Sequence, residues 1–323
     1  MGHAAHKSSQ TALSFIAFIV VRAPQVVWYG MSSRRDFLGM ILAAPAIAAK
    51  GRVHLAMHQT TMAGAGFRRS LEACAKAGIR SVEVIPAHTD EFIAKEGVAA
   101  ARRLLGDLGI KAVSSGGVRG LAEPGPGRPK AIEELKFRAN RVAELGVDRM
   151  VCPCGATAKY TPDDYERGVE NLREVGEIAK GSGVVAMLEF MRGSTFIGSL
   201  PTALEMTRKA NHPNLKPMLD FYHFWAGLSK LDDLALIRPG EIHHVHYQDV
   251  PRMPRELLDN STRDIPGDGG APVEEMLRRV AKVYQGPLSV ELFYPRLQNG
   301  DPLAVAQEIR SKSETVMRRA GVL

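Results

Sequence analysis

At 323 residues, 45% of them hydrophobic and 24% charged, the chain has enough apolar material for one large core, which excludes a disordered or fibrous protein. Its formal net charge of +7 includes no lysine- or arginine-rich block, so composition makes no case for a nucleic-acid partner.

Residues 1–49 differ in character from the rest. Met31-Ser32-Ser33-Arg34-Arg35-Asp36 precedes a short apolar stretch that ends in Ala46-Ile47-Ala48, an A-x-A cleavage pattern. The layout resembles a twin-arginine signal peptide, with translation expected to begin at Met31. The earlier apolar run from Ala12 to Val21 is too short to span a bilayer and is broken by Arg22 and Pro24. The expectation is a periplasmic or otherwise exported protein with no stable membrane insertion once the leader is cleaved. Cleavage would remove Lys7, Arg22, Arg34 and Arg35 against Asp36 and leave a mature chain near +4.

From Val53 onward, short apolar runs alternate eight times with longer segments of helical periodicity. The strand candidates are Val53 to Met57, Ser81 to Ile85, Lys111 to Ser114, Arg149 to Cys152, Val184 to Phe190, Lys216 to Phe221, Ile242 to Tyr247 and Leu288 to Leu292. Helices are predicted over Phe67 to Ala77, Glu91 to Leu108, Ala131 to Leu145, Asp163 to Lys180 and Pro302 to Arg319. Thr161 before Pro162 reads as a helix start, and Gly78, Gly109, Gly146 and Gly183 each close a helix. Strict alternation implies parallel strands with right-handed crossovers, and eight units in residues 50–323 fit a single-domain (β/α)₈ TIM barrel. A doubly wound open sheet is the alternative, but no G-x-G-x-x-G follows the first strand. The Pro- and Gly-rich stretch from Glu123 to Pro129 reads as a loop over the active face. Cys152 and Cys154 alternate onto one face and are assigned to core packing, as is Cys74.

In such a barrel chemistry lies at the C-terminal ends of the strands. The fifth ends Leu188-Glu189-Phe190, the sixth Leu219-Asp220-Phe221 with His223 close behind, the seventh contains His244 and His246, and the eighth ends Val290-Glu291-Leu292. A capping Asp and a packed His would explain one strand in isolation. Four consecutive strands, each with a carboxylate or imidazole at one level, would repel without a cation, so a divalent metal is expected, of a kind (Mn, Mg, Co or Zn) that the ligands leave open. His244, one layer deeper than His246, is expected to pack in the lumen; His58 and His88 lie near strand ends without a motif.

These strands resemble the xylose-isomerase-like superfamily of sugar isomerases and epimerases, and within it most closely the 2-keto-myo-inositol isomerases. The matching pieces are Leu188-Glu189-Phe190, Leu219-Asp220-x-x-His223-Phe224, Ser229-Lys230-Leu231, His246-x-x-Asp249, Arg263-x-x-Pro266-Gly267-x-Gly269 and Ser289-Val290-Glu291-Leu292-Phe293-x-Pro295. The resemblance implies Glu189, Asp220, His246 and Glu291 as ligands of one divalent metal ion, with Glu189 and Glu291 also catalytic. It implies His223, Arg252 and Arg263 as substrate-binding residues, with Glu83 near the end of the second strand as a further candidate. The implied reaction is proton transfer through an enediolate on a small carbohydrate, a keto-sugar or keto-polyol. The superfamily's further Glu after the first metal Glu is missing from Met191-Arg192-Gly193-Ser194, which leaves the particular substrate open. A lyase acting on oxidised 3-keto glycosides is the main alternative. A non-catalytic sugar-binding barrel and an abasic-site endonuclease rank lower, the latter because the third strand ends Ser114-Ser115-Gly116 without extra histidines. The loop after strand eight offers little to hold a phosphate. Arg252, Arg255, Arg263 and the Gly267-Asp268-Gly269-Gly270 turn after strand seven could hold an anion, but the resemblance and the expected export lead to the expectation of an uncharged, unphosphorylated substrate. A homo-oligomer is compatible with the sequence.

Overall fold

Apolar runs alternate with helices throughout residues 53–323, the part of the chain that the computed structural model describes; the leader and its Met31 start lie outside the described residues. The strands are β1 (His54–His58), β2 (Ser81–Val84), β3 (Lys111–Gly116), β4 (Arg149–Cys154), β5 (Val185–Phe190), β6 (Leu215–Pro217), β7 (Leu219–Asp220), β8 (Val245–His246) and β9 (Pro287–Val290). All pair in parallel, in the order β6-β5-β4-β3-β2-β1-β9-β8-β7. The crossovers are made by α1 (Gly66–Lys76), α2 (Pro86–Glu96), α3 (Val98–Asp107), α4 (Arg128–Glu144), α5 (Pro162–Gly181), α6 (Leu200–Ala210), α7 (Phe221–Ala226), α8 (Val273–Val280), α9 (Pro295–Gln298) and α10 (Pro302–Arg319).

The sixth predicted strand appears as two pieces, β6 and β7, interrupted only at Met218. Its N–H donates to Leu188 O on β5 at 3.0 Å, while the Leu219 N–H turns the other way to His244 O at 3.1 Å. One strand thus bonds one sheet edge with its first half and the other edge with its second, and the sheet closes into a TIM barrel. This sets aside the open-sheet alternative. Phe221, read as strand, instead opens α7, because the Asp220 carboxylate accepts the His223 N–H at 2.7 Å and caps that helix. The predicted helix Glu91 to Leu108 is likewise two helices, broken at Gly97, where φ is +84°.

Other local signals agree with the sequence. Thr161 starts α5, its N–H donating to Asp164 Oδ2 at 2.7 Å, and Gly78, Gly109, Gly146 and Gly183 all have positive φ. Strand faces alternate between two apolar compartments. One side packs under the helices in the main core, and Val151, Met187 and Met218 form a small separate cluster. Among the described residues no helix is long and apolar enough to cross a membrane.

All three cysteines are buried, and burial pushes each thiol up to about 12. Native protein at pH 8 is therefore expected to react with no equivalent of a thiol reagent, and with three after unfolding. Rapid labelling of Cys154 in the native state would contradict its place in the core.

Candidate active site

Register sets the site. His58 on β1 pairs with Glu83 on β2, Asp220 with His246, and His246 with Ser289, two residues before Glu291. Side chains two apart along a strand share a face, so Glu189, Asp220, His246, Glu291, His58 and Glu83 meet at one end of the barrel. With them a cleft is lined by Pro153, Met191, His223, Asn260, Arg263 and Phe293, among others.

His246 lies at the centre. Its Nδ1 is buried with no hydrogen-bond partner and faces Glu189 Oε1 at 3.2 Å, Asp220 Oδ2 at 3.4 Å and Glu291 Oε2 at 3.5 Å. Its Nε2 lies 3.1 Å from Glu83 Oε2, which also meets His244 Nε2 at 2.7 Å. The carboxylate can only accept, so the Nε2 of His246 carries a proton, and in the neutral ring Nδ1 presents a lone pair to the three oxygens. Lone pairs converging from one imidazole and three carboxylates fit a divalent cation, and the donor set suits a hard to borderline one. Asp220, His246 and Glu291 offer ligand atoms within 4.8 Å of one another, as do Glu189, Asp220 and His223. A third such group, His58, Glu83 and His246, fits a metal poorly. His58 Nδ1 accepts the Thr60 N–H at 3.1 Å, so the neutral ring carries its proton on the nitrogen facing Glu83.

Charge explains the directions in which these groups titrate. Burial favours the neutral acid at Glu189 and raises its pKa despite His246. At Glu291 and Asp220 the same burial is outweighed, chiefly by the Arg263 guanidinium, and both stay below their ordinary values. Burial also opposes charge on His246, but the surrounding carboxylates, Glu83 first, hold its pKa well above the usual imidazole range. The cluster thus attracts positive charge strongly.

Arg263 is buried at 2% exposure; Nη1 donates to Asp220 Oδ2 at 3.1 Å and also to Glu291, with the Tyr222 and Phe293 rings about the guanidinium. His223 Nδ1 accepts the Arg192 N–H at 3.2 Å, and burial pushes the ring down to about 4, so it is neutral with its proton on Nε2. That nitrogen lies 3.1 Å from Arg263 Nη2, another donor. Two donors at that spacing cannot bond each other, and both residues line the cleft wall.

The structure brings Glu83, Glu189, Asp220, His223, His246, Arg263 and Glu291 to one cleft and leaves out Arg252. Asp249 and Asp264 form an antiparallel bridge, and Asp249 accepts N–H bonds from Val250, Gly267 and Ala271, which folds this loop back on itself. A side chain at Gly269 would come within 2.4 Å of Val250 O. The fold of the loop sends Arg263 inward and leaves Arg252 exposed, its Nε donating to Gly269 O at 3.1 Å. Glu83 is fully buried and its carboxylate is engaged by His244, His246 and Ser114. His244 packs below the site as its depth on the strand implied. Sequence reasoning left out His58, and it missed Gln248, whose Nε2 donates to Asp220 Oδ1 at 2.7 Å. The two-residue period that selects His244 and His246 also reaches Gln248 and was the available signal.

Fold and cluster together define an α/β barrel that gathers carboxylates and an imidazole at one end of its strands. The chain belongs to the xylose isomerase-like TIM barrel family, whose model matches residues 71–314. An inosose isomerase from Halalkalibacterium halodurans is 28% identical over 195 residues, 59% of this chain and 68% of the relative. A 3-dehydroshikimate dehydratase from Pseudomonas putida is 29% identical over 230 residues, 69% of this chain but 35% of that protein. The solved structure of the IOLI protein with a bound zinc atom superposes with a TM-score of 0.77 at 21% identity, covering 83% of this chain and 99% of the other, which speaks for the fold.

A carboxylate behind a ligating imidazole fixes its tautomer, and losing such a partner typically lowers metal affinity about 10- to 100-fold. Glu83→Gln is expected to show a fall of that size for Zn²⁺ or Mn²⁺ in competition with a chromogenic chelator. Unchanged affinity would remove Glu83 from this role.

Proposed function

We propose that the chain is a divalent-metal-dependent isomerase or epimerase of a keto-sugar or keto-polyol. The observation that carries the reading is the unpartnered His246 Nδ1 facing carboxylate oxygens from β5, β7 and the residue after β9. Glu189, Asp220, His246 and Glu291 would hold the cation; when bound, it supplies a Lewis acid that draws neighbouring carbonyl and hydroxyl oxygens together and stabilises their negative charge. Glu189 and Glu291 take a proton from carbon next to the carbonyl and return one to the neighbouring or the same carbon, by way of an enediolate. His223 Nε2–H and Arg263 Nη2–H donate to one substrate oxygen. Met191, Pro153 and Phe293 give the cleft apolar walls that limit water. Support also comes from the relatives, among them inosose isomerases and a D-psicose 3-epimerase from Ruminiclostridium cellulolyticum.

A second reading keeps the proton abstraction and changes its outcome. If the carbon beside the enediolate carries a leaving group, the electrons expel it and the enzyme is a lyase, acting on a 3-keto glycoside or a similar β-substituted ketone. The dehydratase relative favours keeping this reading. Export through the twin-arginine leader belongs to the same proposal: fractionation should find a shortened chain beginning near Ala49 outside the cytoplasm, and a full-length cytoplasmic chain indifferent to Arg34→Lys with Arg35→Lys would refute it.

Incubation with Mn²⁺ in D₂O and a panel of ketoses, keto-inositols and 3-keto glycosides is expected to place deuterium on carbon next to the carbonyl, the products separating isomerisation from elimination. Glu189→Gln and Glu291→Gln should each slow exchange by about 10²- to 10⁴-fold, and His246→Ala should lose most bound metal. Absence of exchange across the panel by metal-loaded protein would overturn the reading.

A further inference from the structure

The cleft holds two guanidinium groups, and only one is used. Arg263 is buried among Asp220, Glu291 and His223. Arg119, on the loop after β3, lines the same cleft from another side, and the polar contact of its guanidinium is Nη1 to the Met191 thioether at 3.4 Å. A thioether is a weak acceptor. Among the described residues no carboxylate forms an ion pair with Arg119, and the side chain is exposed to the cleft's solvent.

Arg119 is nevertheless seated by its surroundings. At Gly117, two residues earlier, a side chain would come within 2.2 Å of Val151 O, so the loop lies directly against β4. At Gly155, after β4, a Cβ would stand 3.0 Å from Arg119 Nη1 and 3.3 Å from Met191 Sδ. Loops following three successive strands thus leave a place for the guanidinium against bare backbone and sulfur at the edge of the cleft. The acidic part of the cleft, Glu83, Glu189, Asp220 and Glu291, is already balanced by Arg263, His246 and the site for a metal.

We propose that Arg119 binds a carboxylate of the substrate, which makes the substrate a polyhydroxylated keto acid. This deepens and rests on the keto-sugar reading above, and it departs from the sequence expectation of an uncharged substrate, which rested on the loops after strands seven and eight, on the resemblance and on export. A guanidinium meets a carboxylate with two parallel N–H bonds, a geometry that a hydroxyl cannot match. The keto-polyol portion then reaches inward to the carboxylates while the acid group stays at the outer rim.

The test compares D-glucuronate with D-glucose by calorimetry, on metal-loaded and on EDTA-treated protein. Glucuronate is expected to bind about tenfold or more tightly in both forms. Arg119→Met, which keeps an apolar stem against Met191, should abolish the preference, and Arg119→Lys should restore part of it. A preference that survives Arg119→Met, or disappears with EDTA, would assign the carboxylate to the metal and overturn the proposal. Equal affinity for the two sugars would overturn it while leaving the deuterium exchange of the keto-sugar reading intact. Failure of both sugars to bind, together with no exchange, would overturn the two readings together.

Discussion

The arrangement depends on one electrostatic constraint: four carboxylates and a central imidazole gather at the same end of a barrel, with Glu83, Glu189 and Asp220 buried and Glu291 partly so. Each buried carboxylate costs several kcal/mol unless it is paired and hydrogen-bonded. Glu83 is compensated from below by His244 and His246, and Asp220 from the side by Gln248, the His223 N–H and Arg263. Glu189 has the least compensation, facing the bare Nδ1 of His246, and it is the carboxylate whose pKa burial raises. The remaining deficit of positive charge is concentrated where three carboxylates and that nitrogen converge, which is the physical basis for placing a cation there.

This charge cluster was legible in the sequence because two periods reinforce each other. Helical periodicity located the crossovers, the apolar runs between them located the strands, and a polar residue near the end of an apolar run stood out against its neighbours. Glu189, Asp220, His246 and Glu291 were found in that way, and the register of the sheet brings them together. The closure at Met218 was not legible, since a strand that bonds one edge for three residues and the other for two has no distinct hydrophobic pattern. Gly97 was hidden inside a helical period that continues on both sides of it.

Loop residues were harder to place for a different reason. Arg252 and Arg263 are both arginines after the seventh strand, and no periodicity distinguishes them. The deciding factor is the Asp249 carboxylate, which accepts three backbone N–H groups and turns the chain so that one arginine enters and the other leaves. The Gly267-x-Gly269 spacing supports this, because Gly269 packs against the very residue that does the binding. That motif carries the resemblance to the sugar isomerases and also explains why Arg263, eleven residues beyond Arg252, reaches the acids.

A division of labour follows from where each group is anchored. Most of the charged and imidazole groups converging on His246 come from strands or the residue just after one, so their spacing is fixed by the register of a closed sheet and resists local change. The groups that would meet the rest of a substrate, Arg119, Asn260, Arg263 and Phe293, come from loops. Isomerisation, epimerisation and elimination share the first step, loss of a proton beside a carbonyl, and differ in what the substrate presents on the neighbouring carbon. A rigid acidic centre under variable loops can therefore keep the first step while the loops choose the substrate and, through its leaving group, the outcome. On this view the carboxylates and imidazole carried by the strands set the first step, and a loop residue such as Arg119 sets what a substrate must present to reach them.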